Sequence, residues 1–192
     1  MAALTFLLSI KSNQARIKLK PIQPNHIEEK IIYDVKFGKL YLGKMKFSII
    51  SNVKMSGRLL KAMFVETKLA KFMDKEKIYI DPQTLLPIKV ERDISSWFRK
   101  ERIIEEYDQD NFTVTIIKNK VSKQQKKVIK KDGHIHNAML LPFFVRHIPK
   151  LNIGRIIIAN LPVRRLEIKL VSIEEINVPA GTFKAYHFKG TP

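Results

Sequence analysis

Residues 101–118, Glu-Arg-Ile-Ile-Glu-Glu-Tyr-Asp-Gln-Asp-Asn-Phe-Thr-Val-Thr-Ile-Ile-Lys, contain the pattern that decides the fold class of this chain. Four polar residues at 108–111 form a strong turn signal, and apolar residues alternate with threonines over 112–118. Successive side chains of a β-strand point to opposite faces, so this alternation predicts a strand with one buried face. We therefore predict a β-hairpin in which 101–107 is the first strand.

The same period of two recurs along most of the chain. Further strands are predicted at 30–37, 44–51, 58–67, 76–80, 87–94, 120–131, 164–171, 174–178 and 183–188. The best helix candidate runs from Ala138 to Ile148, and Pro142 limits it to a short helix. A doubly wound α/β fold needs a helix between most strands, so we exclude it. The sequence predicts a mainly β fold, with one large curved antiparallel sheet or open half-barrel and one short helix.

The length of 192 residues suits one domain. We predict an N-terminal apolar segment and linker over 1–26, and a single antiparallel β domain over 27–192. The apolar run from Ala2 to Ile10 is too short to span a bilayer, which takes about 20 residues. This run is either the core of a truncated signal peptide or an ordinary first strand or helix. Because the chain stops at Pro192 directly after a strand, we expect the C-terminus to be truncated.

The charge balance favours anionic partners. The chain has 36 Lys and Arg against 18 Asp and Glu, a formal net charge of +18. Seven lysines form a candidate patch for an anionic surface, namely Lys118, Lys120, Lys123, Lys126, Lys127, Lys130 and Lys131. Nine of the 36 basic residues are Arg and no aromatic residue interrupts the patch, which argues against nucleic acid as the partner. The alternative is a solvated hairpin whose lysines prevent edge-to-edge aggregation.

Side chains suited to catalysis or metal binding form no recognisable pattern. The absence of cysteine excludes disulfides and thiolate chemistry. His134 and His136 share a strand face, but no third ligand accompanies them, so we predict no metal site. Glu105 and Glu106 lie on opposite sides of a strand, which is poor geometry for shared acid–base work. With no nucleophile or phosphate-loop motif, we predict a non-enzymatic protein without a cofactor.

A sheet with too little helix to cover both of its faces suggests a surface for an apolar or amphiphilic ligand. The candidate lining residues are apolar or aromatic residues in phase with the strand pattern: Tyr33, Val35, Phe47, Ile49, Val90 and Ile116. The alternative role for each is that of an ordinary core residue.

Several landmarks in order carry a family resemblance. These are Glu29-Lys30-Ile31-Ile32-Tyr33-Asp34-Val35 with Gly38 and Leu42-Gly43-Lys44, Ile80-Asp81-Pro82-Gln83-Thr84-Leu85-Leu86-Pro87, Glu106-Tyr107-Asp108, and Val178-Pro179-Ala180-Gly181-Thr182-Phe183-Lys184-Ala185. Together they resemble the bacterial domain of unknown function 3108 family, from about residue 27 to the end.

The resemblance implies a periplasmic protein made with a signal peptide, with a fold similar to that of the lipoprotein carriers. It brings no catalytic residues, because the activity of that family is not established. Two features depart from it: no basic residue precedes Ala2, and the further strands beyond Phe183 are missing.

We therefore expect a bacterial envelope protein that binds a lipid or another amphiphile, with a basic exterior that favours anionic envelope surfaces. One alternative function is an envelope scaffold or protein-interaction domain. Another is a hydrolase of acidic envelope polymer, which would need paired carboxylates in a cleft. For the location, the cytoplasm is the alternative.

Overall fold

A computed structural model of the chain describes residues 6–10, 30–120 and 123–192. The chain divides into two compact units, one formed by Pro24–Asn137 and the other by Met1–Gln23 together with Ala138–Pro192. Each unit contains one antiparallel sheet. The structure thus contains a second, smaller sheet in addition to the one large sheet that the sequence predicted, and the single domain over 27–192 stays a prediction.

The first unit contains an eight-stranded antiparallel sheet in which spatial order follows chain order. Its strands are β2 Lys30–Phe37, β3 Leu40–Met55, β4 Arg58–Leu69, β5 Phe72–Ile80, β6 Pro87–Ser96, β7 Arg99–Asp108, β8 Thr113–Lys120 and β9 Lys123–Lys130. The predicted hairpin of 101–118 corresponds to β7 and β8. Because β2 and β9 are the outer strands of this order, the sheet is not closed into a barrel.

Short connections explain why neighbouring strands pair. The Asp108 side chain accepts a hydrogen bond from the backbone N–H of Asn111 at 2.9 Å, and Asp81 accepts one from Thr84 at 2.8 Å. Trp97 and Phe98 form a tight turn between β6 and β7. A tight turn at Ala70 and Lys71 joins β4 directly to β5.

The two faces of this sheet differ in chemistry. One face, here called the core face, carries Met63, Ile78 and Val90, which are aligned across three strands and fully buried. The other, called the solvent face, carries charged pairs such as Lys89 with Glu91, 2.8 Å apart. Strand alternation predicts this arrangement for a sheet with one covered face. In β4, Leu60 and Ala62 are also buried, although they alternate with Met63.

The second unit contains a four-stranded antiparallel sheet in the order β1-β12-β11-β10. Its strands are β1 Phe6–Ile10, β10 Ile156–Asn160, β11 Arg165–Val178 and β12 Gly181–Thr191. A 3₁₀ turn, Ala138–Leu140, leads into helix α1, Leu141–Arg146, which has a proline in its first turn. Leu141 and Val145 of this helix pack in the same buried cluster as Leu170 and Phe188 of the sheet.

The main expectations about the fold class are confirmed: the chain is mainly β, with one large open antiparallel sheet and one short helix. The second sheet is separate because the stretch before β10 contains the helix and loops instead of another hairpin. Residues 6–10 form a strand paired with β12, the ordinary-strand alternative for the N-terminal run. The predicted linker lies outside the described residues, and the signal peptide stays a prediction. In the part of the chain that the structure describes, no helix has the length and apolarity to cross a bilayer.

Candidate functional site

The six predicted lining residues all lie on the core face of the eight-stranded sheet. Strand register aligns Ile49 through Met63 and Ile78 with Val90, and this row continues through Glu105 to Ile116. Val90, Ile116 and Phe47 are buried, Val35 and Ile49 are half-buried, and Tyr33 is exposed. The Tyr33 ring meets Phe47 edge to face, with centroids 5.8 Å apart. The structure therefore brings these residues onto one surface, and their role in ligand binding stays a prediction.

A second row across the core face changes character along its length. The row pairs Ile31 with Phe47, Phe47 with Val65, Val65 with Glu76, and Glu76 with Arg92. Its first three members are apolar, and its last two are charged groups. Because neighbouring strands lie about 4.8 Å apart, the apolar part spans roughly 10 Å. This row is itself amphiphilic.

A group of polar side chains lies beside the apolar residues of the core face. We call it the polar cluster, and it consists of Asp74, Glu76, Arg92, Glu105, Tyr107 and Asn137. None of these residues was predicted as a site residue, and Glu105 was considered only together with Glu106. The available signal was their phase, because Glu76 alternates with Ile78 and Glu105 alternates with Ile103, both of which are buried.

Arg92 and Asp74 form the charged pair of the polar cluster. The Arg92 Nε–H donates to Asp74 Oδ1 at 2.9 Å, and Nη2 also contacts Oδ2. The hydrogen bond to Asp74 raises the pKa of Arg92 above its ordinary value. A forked guanidinium–carboxylate pair of this kind holds both groups in a defined geometry.

Glu76 is the buried carboxyl group of the polar cluster, with 8% of its surface exposed. The Asn137 side-chain amide donates a hydrogen bond to Glu76 Oε1 at 3.1 Å. Burial raises the pKa of Glu76 to about 7, although Asn137 and the positive charge of Arg92 both act to lower it. Around neutral pH this carboxyl group therefore exchanges between its acid and carboxylate forms.

Tyr107 supplies a hydroxyl donor to the polar cluster. Its Oη–H donates to Glu105, which lies two residues earlier on the same face. Burial raises the pKa of Tyr107, and the neighbouring Glu105 charge acts in the same direction. The phenol is therefore protonated throughout the physiological range and acts as a donor.

The segment after β9 reaches the polar cluster because Gln109 holds it. The Gln109 side-chain amide donates to the Ile135 carbonyl at 2.9 Å, and its Oε1 accepts the Ile135 N–H at 3.0 Å. The same amide donates to the Pro87 carbonyl at 3.0 Å. Ile135 is completely buried, and Asn137, two residues later, contacts Glu76.

Glu101 is a further buried carboxyl group on the core face. It pairs with Ile94, which in turn pairs with Asp74, and it forms an ion pair with Arg99. Within the described residues, Glu101 Oε1 has no hydrogen-bond partner. Buried oxygens without a partner are uncommon, because desolvation costs about 1–3 kcal/mol when no hydrogen bond replaces water.

The core face thus combines apolar surface with carboxyl, guanidinium, amide and phenol groups. These groups can donate and accept hydrogen bonds to a polar headgroup. Among residues 30–120 and 123–192, no group of three or more potential metal ligands is close enough to hold an ion. His134 packs edge to face against Phe112, with ring centroids 5.2 Å apart.

The predicted lysine patch lies on β8, β9 and the residue after them. Lys123, Lys126, Lys127 and Lys130 are exposed, and Lys118 is half-exposed. Successive residues of a strand point to opposite faces, so Lys126 and Lys127 do not share one. The patch is therefore a charged outer strand rather than a one-sided surface, and its affinity for anions stays a prediction.

The solvent face contains an open depression of about 570 Å³. Lysines and acidic residues line it around Phe64, and none of the six predicted lining residues contributes to it. The Lys77 ammonium lies 5.3 Å from the centre of the Phe64 ring. Since charges of both signs line it, this depression shows no preference for an apolar ligand.

Comparison with known proteins gives one finding. A family model described as a protein of unknown function (DUF3108) matches residues 32–192. No curated protein and no solved structure matches significantly. The expected likeness to lipoprotein carriers therefore stays a prediction.

Proposed function

We propose that this chain, which belongs to the DUF3108 family of proteins of unknown function, is a non-catalytic bacterial envelope protein. It binds an amphiphile on the core face of its larger sheet. The apolar part of the ligand lies along β2 and β3, and its polar group meets the polar cluster. The amphiphilic row from Ile31 to Arg92 is the observation that carries this proposal.

Graded burial along the core face supports the proposed position of the ligand. Burial is complete at Met63 and Ile78 in the middle of the sheet. It decreases toward β2 and β3, where Val35 and Met45 are half-buried and Tyr33 is 42% exposed. A ligand chain placed there gains contact with apolar surface already present, and each buried CH₂ contributes about 0.8 kcal/mol.

A matched pair of substitutions on one strand tests the proposal. Tyr33→Glu places a charge on the core face, whereas Ile32→Glu places the same charge on the opposite face at a residue that is 50% exposed. A dansyl-labelled fatty acid serves as the probe, and its fluorescence titration gives the dissociation constant. We expect Tyr33→Glu to weaken binding at least about tenfold, because the ligand would have to desolvate a carboxylate, and Ile32→Glu to leave it unchanged.

Two results would contradict the proposal. One is the absence of probe binding by the unaltered chain, together with no lipid in the mass spectrum of protein purified from cells. The other is an equal loss of affinity in both variants, since the effect would then not depend on the face.

A second candidate function is an envelope scaffold, favoured by the outer strand β2. This strand exposes Ile32 and Phe37. Such an edge is suited to accepting a strand from a partner protein. Loss of a specific co-purifying protein in Ile32→Glu, with ligand binding intact, would favour the scaffold over the amphiphile carrier.

A further inference from the structure

The order of the eight-stranded sheet places four strand connections at the same end of its strands. In a sheet whose spatial order follows chain order, alternate connections lie at the same end of the strands. The ends of β2 and β3, β4 and β5, β6 and β7, and β8 and β9 that these connections join are therefore neighbours. We call the segments 36–41, 68–73 and 95–100, with 118–120 and Lys123, together the tip edge.

Large apolar side chains project from the tip edge into solvent. Phe98 is 92% exposed, Phe37 is 79% exposed, Trp97 is 67% exposed and Leu40 is 63% exposed. Trp97 and Phe98 stack with ring centroids 5.7 Å apart. Isolated exposed apolar residues are ordinary, but several together at the same end of a sheet mark an interaction surface.

The first of these hairpins extends farthest. Gly43 is the first residue of β3 that pairs with β4, so residues 40–42 extend the β2–β3 hairpin beyond that pairing. Tyr41 in this extension is exposed, like its neighbour Leu40. The hairpin presents its apolar side chains at the end of a projection and not on a flat surface.

The charge of the tip edge has one sign. Its four segments contain nine basic residues and no Asp or Glu: Lys36, Lys39, Lys68, Lys71, Arg99, Lys100, Lys118, Lys120 and Lys123. The Lys71 ammonium lies 2.9 Å from the centre of the Trp97 ring, which joins the second turn to the third.

The other end of the same strands provides an internal comparison. Segments 54–59, 81–86, 108–113 and 130–135 contain four basic and four acidic residues, and they include Asp81 and Asp108 at the turns. The positive charge is therefore concentrated at one end of the sheet and is not simply a consequence of the net charge of +18.

We propose that the tip edge docks on an anionic lipid bilayer, with Phe37, Leu40, Trp97 and Phe98 inserted among the headgroups and the surrounding lysines held against the negative surface. Tryptophan and other aromatic side chains favour the membrane–water interface. Basic residues near an anionic leaflet add attraction, and stable attachment takes both contributions. This inference does not depend on ligand binding by the core face.

Shape and charge favour a bilayer over a protein partner. Specific protein interfaces are closely packed and depleted of lysine in their centres. Every segment of the tip edge instead contains lysine, and its first hairpin extends beyond the β3–β4 pairing. A fluid headgroup layer accommodates such a projection, and its negative potential matches nine positive charges without opposing acids.

Trp97 makes the test direct, because it is the only tryptophan in the chain. Vesicles of phosphatidylcholine with phosphatidylglycerol are added to the full chain, and its emission spectrum and co-sedimentation are measured. We expect a blue shift and sedimentation with these vesicles, and neither with phosphatidylcholine alone. Brominated lipids should quench the emission if Trp97 enters the headgroup region.

Variants at the tip edge separate the two contributions. Phe98→Ser, at a nearly fully exposed turn residue, should weaken partition into anionic vesicles about tenfold. Lys39→Gln should weaken it about fivefold at low salt, and less as salt rises. Circular dichroism should show the same fold for both variants, since neither side chain is buried.

Matched controls at the opposite end of the strands decide the outcome. Leu59→Ser removes an apolar side chain that is 54% exposed, and Arg58→Gln removes an exposed charge from the same turn. Full vesicle binding by both controls supports the proposal. An unshifted Trp97 emission, or equal losses at the two edges, overturns it, as does binding to a soluble anionic polymer or protein without binding to vesicles.

Discussion

Single side chains on the core face decide how the protein responds to pH. Glu76 is a buried acid whose pKa is raised to about 7 in the folded chain from an ordinary value of 4.5. A raised carboxyl pKa means that the folded state holds a proton that the unfolded state releases. Its contribution to stability is therefore complete below about pH 4.5 and is lost as the pH rises through about 7.

Glu76→Gln tests this response. The amide oxygen still accepts the Asn137 hydrogen bond, but it cannot ionise. We expect the free energy of unfolding to exceed that of the unaltered chain by about 3 kcal/mol at about pH 8, and to differ little at about pH 4.5. Urea titrations at the two pH values give both numbers.

Glu66→Gln is the matched control, because Glu66 is a partly exposed carboxyl group on the solvent face, 3.9 Å from Lys46. Its effect should stay within about 0.5 kcal/mol at both pH values. If Glu76→Gln behaves like this control, ionisation of Glu76 does not lower the free energy of unfolding, and the expected pH response is wrong.

The residues of the polar cluster could be predicted only in part. Alternation places Glu76, Glu101 and Glu105 in phase with buried isoleucines, so their face is contained in the sequence pattern. The sequence pattern does not contain their partners, because Arg92 on β6 contacts Asp74 on β5, which lies 18 positions earlier in the chain. Such contacts depend on which strands become neighbours.

At the scale of elements, the β2–β3 hairpin depends on one close approach of two backbones. Gly43 has a φ of +155°, and a Cβ atom there would lie 2.0 Å from the carbonyl oxygen of Lys68. The register shifts next to it, where Val35 pairs with Gly43 and Lys36 pairs with Tyr41. Glycine at this position permits the bulge that directs the hairpin beyond β4.

Gly43→Ala should therefore destabilise the protein by about 3 kcal/mol, because the backbone of β4 has to move. Thermal unfolding followed by circular dichroism measures the effect. Gly190→Ala is the control, since a Cβ atom there would meet only the Leu166 side chain, at 3.5 Å. If both variants lose a similar amount of stability, the effect comes from replacing any glycine in a strand and not from the close approach of Gly43 to Lys68.

The 131–137 segment is the second element whose position depends on a few contacts. Gln109 makes three hydrogen bonds to backbone groups of Pro87 and Ile135. Gln109→Ala should lower the free energy of unfolding by about 2 kcal/mol, because those buried groups lose their partner. Amide hydrogen exchange should increase at Ile135, whereas protection of the β5–β6 pairs should be kept; unchanged exchange at Ile135 would contradict this role.

At the scale of the whole molecule, charge opposes compactness. With a net charge of +18 on 192 residues, the positive groups repel one another, and ion pairs on the surface such as Lys46–Glu66 and Arg102–Asp93 add little stability. Added NaCl screens the repulsion over about 10 Å at 0.1 M. We expect the melting temperature to rise by about 3 °C between low and moderate salt, which corresponds to about 1 kcal/mol.

A scan of thermal unfolding against NaCl concentration measures this rise. Sucrose at matched osmolality is the control, because it is neutral and leaves the charges unscreened. A melting temperature that falls with NaCl would mean that attractive ion pairs outweigh the repulsion.

The sequence alone determined the strand alternation, a short helix that includes Pro142, and the turn at 108–111. These features depend on neighbours within a few residues, through side-chain alternation and local hydrogen bonds. Tertiary structure alone decided the division into two sheets, the polar cluster around Glu76, and the gathering of Phe37, Trp97 and Phe98 at one edge. Those features depend on pairing between distant segments, which bring together residues that no local pattern relates.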